Sequence, residues 1–285
     1  MSNSFYKIRD LLAGDLDQAM SLSFNEGWNQ TENDWKFMIG DPDVAAIAAL
    51  HKGVIIGTAT AIVYKNKVAW IGMVLVEKSF RGQGIGRMLL TNILGRFKNV
   101  ESVKLDATPA GYPLYQKAGF LDEYRVFRMI NPGVKDISDT DFGICNIDAG
   151  TFNKVLDLDK TIFGADRSVV LRNFYNNYSS KAFLLKKDGI LSGYILGRDG
   201  RKFNYLGPVC ASATDDAIRL ISEALKQLAN QPVALDVPEE KSDLIKWLES
   251  AGFEKQRHFI RMYLRSNTHS GQVENQFLIS GPEFG

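Results

Sequence analysis

Arg81-Gly82-Gln83-Gly84-Ile85-Gly86-Arg87 lies between an apolar run, Val68–Val76, and a stretch whose apolar residues Met88, Leu89, Leu90, Ile93 and Leu94 recur at helical spacing. A strand therefore feeds a glycine-rich turn, and the turn opens a helix. Glycines at alternate positions let the backbone approach a ligand closely and direct several N–H groups into one concavity. The helix start adds four unsatisfied donors and the positive end of its dipole. Together these features form a seat for a phosphate or pyrophosphate. A Walker A loop would need Gly-Lys-Ser/Thr, and a dinucleotide fingerprint would need glycine where Arg87 stands.

Working outward, Phe5–Leu11 reads as a first strand and Leu16, Ala19, Met20 and Leu22 as a helix face. A polar segment, Asn25–Asp43, follows. Val44–Leu50 and Val54–Tyr64 are strands joined by His51-Lys52-Gly53, and Val68–Val76 completes a meander. Beyond the glycine turn come a strand, Ser102–Ala107, a short helix, Tyr112–Ala118, closed by Gly119, and a strand, Leu121–Ile130. Asn131-Pro132-Gly133 then breaks the pattern, and polar Val134–Asp141 reads as a linker. This places a first domain over 1–133 and a second over 134–285. The second repeats the order of the first, with a helix at Ala149–Asp159, strands at Ala182–Lys187, Ser192–Gly197 and Phe203–Val209, a helix at Asp215–Asn230 and a strand at Val233–Val237. Val103-Lys104-Leu105-Asp106 matches Val233-Ala234-Leu235-Asp236 at an offset of 130, and Ala118-Gly119-Phe120 matches Ala251-Gly252-Phe253 at 133. A tandem duplication explains both.

The 285 residues carry 34 Lys and Arg against 33 Asp and Glu, too balanced for a broad nucleic-acid footprint. Cys145 and Cys210 form no CxxC pair, and His51, His258 and His269 have no metal-ligand spacing, so no metal is expected. No apolar stretch is long enough to span a membrane, and the N-terminus lacks an export signal, so a cytoplasmic location is expected. Ser280-Gly281-Pro282 lacks a nucleophile elbow.

Arg81-x-x-Gly84-x-Gly86 after a fourth strand, followed by Leu114-Tyr115-Gln116-Lys117-Ala118-Gly119-Phe120, resembles the GNAT superfamily of acetyl-CoA-dependent N-acetyltransferases over about Phe5–Ile130. The tandem layout with a closing Gly281–Gly285 is similar to a bacterial two-domain subgroup. The resemblance implies an α/β (α+β) fold of two GNAT-like domains, each a mixed, mostly antiparallel sheet flanked by helices. It implies that Val74, Leu75 and Val76 bind the pantetheine arm of acetyl-CoA through their backbone, and that Arg81, Gly82, Gln83, Gly84, Ile85, Gly86 and Arg87 cradle its pyrophosphate. An N–H of Val74 or Leu75 would polarise the thioester carbonyl, and Tyr115 would act as general acid. Many family members carry Asn seven positions before this Tyr; here Thr108 stands there.

In the second half the window opposite the glycine turn, Ala211–Arg219, has no glycine and carries Asp215-Asp216, which would repel a pyrophosphate. Leu248 is opposite Tyr115, and Pro208 removes a backbone donor from the strand. The second domain is thus expected to keep the fold without the cofactor site and to wall the substrate cleft. The implied reaction is acetyl transfer to a small-molecule amine; the rival is an acyl-CoA sensor without chemistry, and a homodimer fits either. Asn25–Asp43 holds five acids against Lys36, which suits a cationic amine, with Glu26 and Asp34 as candidate bases, Asp106 next, and Trp28 and Trp35 as stacking partners.

Overall fold

The computed structural model describes residues 6–65, 67–134 and 143–285. Phe5 and most of the expected linker lie outside them. The first half runs β1 (Tyr6–Asp10), α1 (Leu16–Asn25), α2 (Glu32–Gly40), β2 (Val44–His51), β3 (Val54–Tyr64), β4 (Val68–Val76), α3 (Ile85–Arg96), β5 (Ser102–Ala107), α4 (Tyr112–Lys117) and β6 (Leu121–Asn131). The second half repeats this series with β7 (Ile144–Asn146), α5 (Ala149–Phe163), α6 (Ser168–Tyr178), β8 (Phe183–Lys187), β9 (Ile190–Arg198), β10 (Asn204–Ala211), α7 (Thr214–Lys226), β11 (Val233–Pro238), α8 (Ser242–Ser250) and β12 (Glu254–Arg265), and adds β13 (Gln276–Leu278). The fold is α+β, as the element order predicts. α6, α8 and β12 have no counterpart in the sequence reading.

The thirteen strands among the described residues join in one sheet, ordered β1-β2-β3-β4-β5-β12-β6-β11-β10-β9-β8-β7, with β13 on β10. Only β4–β5 and β10–β11 are parallel. The halves exchange their last long strands: β12 lies between β5 and β6, and β6 pairs with β11. At the centre Leu121 faces Tyr263 and Glu254 faces Ile130. Adding 133 to 121 and 130 gives 254 and 263, so the pairing is symmetric about the duplication. Each exchange is fastened by a buried ion pair. Arg128 on β6 reaches Asp236 on β11 through two bonds of 2.8 and 2.6 Å, and Arg261 on β12 reaches Asp106 on β5 at 2.8 and 2.9 Å. Bidentate guanidinium–carboxylate geometry satisfies both charges where water does not reach. The sequence boundary therefore divides the chain but not the sheet.

One face of the sheet is covered by α1 and α2 from the first half and α5 and α6 from the second. They share a core containing Leu22, Trp35, Met38, Phe152, Val155 and Phe174, with Phe284 of the C-terminal segment buried in it. The opposite face carries two cores. Leu89, Leu90 and Ile93 of α3 fill one, and Leu220, Ile221 and Leu248 of α7 and α8 fill the other.

Candidate active site

β4 and β5 pair only from Val68–Ser102 to Ile71–Leu105. Past Ile71 no described strand covers that edge of β4. A bulge begins there: Thr58 faces Leu75 but Thr60 faces Gly72, so β4 carries one extra residue. Met73 takes a φ of +50°, and its carbonyl accepts from Thr58 Oγ1 at 2.9 Å. The splay opens a cavity of about 370 Å³. Residues 71–76 form one wall, and Leu105, Asp106, Thr108, Gly111 and Tyr115 form the other.

At one end the chain leaves β4 through Gly82 and Gly84, whose φ angles of +75° and +82° are left-handed. A Cβ at either would meet no protein atom within 4 Å, so packing does not account for glycine there. Gly84 is the N-cap of α3, no side chain caps that end, and its first turn carries no acid. The donors are left for a ligand. Gly82, Gly84, Ile85, Gly86 and Arg81 line the cavity. Gln83 and Arg87 do not line the cavity itself. Gln83 accepts from the Tyr6 hydroxyl at 2.5 Å, and Arg87 borders a shallow dish on the outer face of α3. Both sit at the rim of the turn.

Tyr115 is 8% exposed, edge-on to Phe120 at 5.9 Å. The turn Thr108–Gly111 backs its ring: a Cβ at Gly111 would come within 3.1 Å of Tyr115 Cε2. Thr108 Oγ1 accepts from Gly111 N–H at 3.2 Å, so Thr108 holds that turn as well as lining the cavity. Burial pushes the Tyr115 phenol above its ordinary range, so it is protonated at neutral pH. Its hydroxyl has no hydrogen-bond partner among the described residues.

The acidic segment divides. Glu26 and Trp28 line the cavity, with Glu26 bonded to Arg81 at 2.5 Å. Asp34 does not. It is the N3 residue of a capping box on α2, accepting from Thr31 N–H at 2.7 Å, and it is buried against Arg198 Nη1 at 3.0 Å. This corrects its reading as a base. Trp35 is likewise corrected: it is fully buried in the shared core and donates to Ser23 Oγ at 3.0 Å. Asp106 borders the cavity, but Arg261 holds both its oxygens.

The second half supplies residues that the sequence reading did not find. Arg257 and Phe259 of β12 and Pro282 and Glu283 of the C-terminal segment reach the first half's cavity. Gly72 makes room for Glu283, since a Cβ there would sit 2.9 Å from Glu283 Cα. Pro282 accepts from Trp70 Nε1 at 2.9 Å. The equivalent opening between β10 and β11 is filled. β11 pairs with β10 only over Asn204–Leu206, and β13 then pairs with β10 at Val209 and Cys210. Asp216 sits in the first turn of α7, buried on Lys187 at 2.7 Å. Leu248 is fully buried.

Two family models match: the Acetyltransferase (GNAT) family over residues 7–120 and the Acetyltransferase (GNAT) domain over 155–278. The chain is a tandem GNAT-family N-acetyltransferase. It is 28% identical over 194 residues to the uncharacterized N-acetyltransferase YitH of Bacillus subtilis, covering 67% of each chain. The fold is similar to that of an acetyltransferase structure from Pyrococcus horikoshii, with a TM-score of 0.82 and 24% identity over 100% of this chain and 98% of that one. It is also similar to the tandem GNAT protein of the clavulanic acid biosynthesis pathway, with a TM-score of 0.64 and 13% identity over 91% and 98%. GNAT enzymes typically use an acyl-CoA and an acceptor. The open glycine turn and the uncovered β4 edge fit such a donor. Among the described residues no helix is long and apolar enough to cross a membrane, and no three His, Cys, Asp or Glu converge on a metal position.

Proposed function

We propose that this GNAT transfers acetyl from acetyl-CoA to a primary amine of a small molecule, by direct attack, in the first half's cavity. What carries the reading is the meeting of three features in one cavity: a strand edge, a glycine turn and a protonated tyrosine that, among the described residues, have no neighbour, no cap and no partner respectively. Acetyl-CoA supplies an acetyl group activated as a thioester. The backbone of Val74–Val76 holds the pantetheine arm as an added strand would, and Gly82–Gly86 with Arg81 and Arg87 hold the pyrophosphate. An N–H of Val74 or Leu75 faces the developing oxyanion. The amine nitrogen bonds the acyl carbon, the carbon–sulfur bond breaks, and Tyr115 gives its proton to the sulfur. Glu26, which lines the cavity, takes the amine's proton through water, and Trp28 packs beside the acceptor.

Gly84→Glu tests the donor site. The new carboxylate would occupy space that is empty of protein and oppose the pyrophosphate. Acetyl-CoA binding by calorimetry should weaken by at least about 100-fold, the factor that roughly 2.7 kcal/mol of repulsion and lost contact supplies. Gly84→Ala carries the same backbone strain without the charge and should weaken binding far less. Equal affinity in wild type and Gly84→Glu would remove the glycine turn from the donor site.

A further inference from the structure

Beyond the β4 bulge the cavity is walled by Gln30, Arg128, Arg257, Phe259 and Glu283. What each already holds differs. Arg128 is spent on Asp236. Glu283 accepts from Arg198 Nη2 at 2.6 Å and Gln30 Nε2 at 2.9 Å, both on Oε1, which leaves Oε2 without a donor among the described residues. Because a carboxylate only accepts, the Gln30 NH2 group must face it, so the amide oxygen turns away. That Gln30 Oε1 is buried with no partner. Arg257 has neither an ion pair nor a hydrogen bond among the described residues, and its Nε is buried and unpaired. It stacks on Phe259 at 5.2 Å.

Arg257 also borders a second cavity, of about 430 Å³, which it shares with Arg128 and Lys202. No carboxylate lines that cavity. Burial and the neighbouring Arg128 push the Arg257 guanidinium down to about 10, which leaves it charged at neutral pH. An unmatched guanidinium between two cavities carries a desolvation cost that a bound anion would relieve. With Nε free, the side of the fork formed by Nε and one Nη can take both oxygens of a carboxylate. The acid excess read from Asn25–Asp43 does not reach this end: Glu32 is paired with Lys36 on the surface, Asp34 is buried, and Glu26 is held by Arg81.

The geometry points to an acceptor that carries a carboxylate beside its amine, an amino acid and not a polyamine, with Arg257 gripping the carboxylate and Gln30 Oε1 and Glu283 Oε2 receiving the amine's N–H groups. This rests on the transfer reading above and names its acceptor class. Thiol release by the full chain with acetyl-CoA should be measured for matched acceptors: each amino acid, its carboxamide and the corresponding decarboxylated amine. The acid should be preferred in kcat/KM by about 10- to 100-fold, the range that one to two charge-assisted hydrogen bonds supply. In Arg257→Gln this preference should fall to near unity, and Arg257→Lys, which keeps the charge without the fork, should recover part of it. The ratio between acceptors is independent of how much of a variant folds. Equal use of acid and carboxamide, or an unchanged ratio in Arg257→Gln, overturns the carboxylate assignment and leaves the transferase standing. No thiol release with any of the amines, while acetyl-CoA still binds, overturns the transfer reading and the acceptor class with it.

Discussion

A Tyr115→Phe variant should bind acetyl-CoA like wild type while its kcat falls by about 10²- to 10⁴-fold, the span that a positioned general acid contributes. Binding should survive because the ring keeps its volume between the Thr108–Gly111 turn and Phe120. The lost hydroxyl has no partner among the described residues, so its removal orphans none of them. The rate should fall because phenylalanine has no proton to give to the departing thiolate, and the nearby cation Arg81 is tied to Glu26 and the Val76 carbonyl. Single-turnover thiol release beside equilibrium binding separates the two effects. A kcat unchanged within twofold would move the acid elsewhere.

Asp236→Ala should destabilise the chain by about 3–5 kcal/mol, the cost of stranding one member of a buried ion pair. Asp236 is fully buried and accepts two bonds from Arg128 and a third from the Tyr205 hydroxyl at 2.9 Å. Its loss leaves a guanidinium with no anion in contact and a phenol that keeps only the Ile279 carbonyl. The urea midpoint is the readout. Asp243→Ala is the control, because its pair with Lys246 on α8 is about three-quarters exposed, and it should move stability by less than about 0.5 kcal/mol. If the two variants unfolded at the same midpoint, the exchanged strands would not depend on their ion pairs.

Local pattern made much of this fold legible in the sequence. Alternation and turn residues marked β2, β3 and β4 with their turns, and the glycine spacing marked the start of α3. The same local logic failed where partners are distant. β6 reads as the closing strand of the first half and β12 has no counterpart in the sequence reading; nothing in an alternating pattern says which copy a strand will join, since the register that buries Arg128 on Asp236 differs from an unexchanged pairing only in chain connection. Asp34 was ambiguous for a related reason. Thr31-x-x-Asp34 is a capping box, and a capping acid has the same composition as a catalytic one until Arg198 is seen beside it. Glu283 and Arg257 were out of reach because their roles depend on packing across 211 and 185 positions, against Gly72 in one case and the far wall of the cavity in the other.

The exchanged strands also bear on how the duplication could have lasted. A chain cut between Val134 and Gly143 would yield two fragments, each presenting sheet edges whose complement lies on the other. Expressed singly, each should aggregate; expressed together, they should elute from a sizing column as a one-to-one assembly. An ancestral homodimer that swapped its last strands would have become, on gene fusion, the present single-chain arrangement. After that the second half could change its chemistry but not its place, because deleting it would remove β12, the strand that lies between β5 and β6 of the first half.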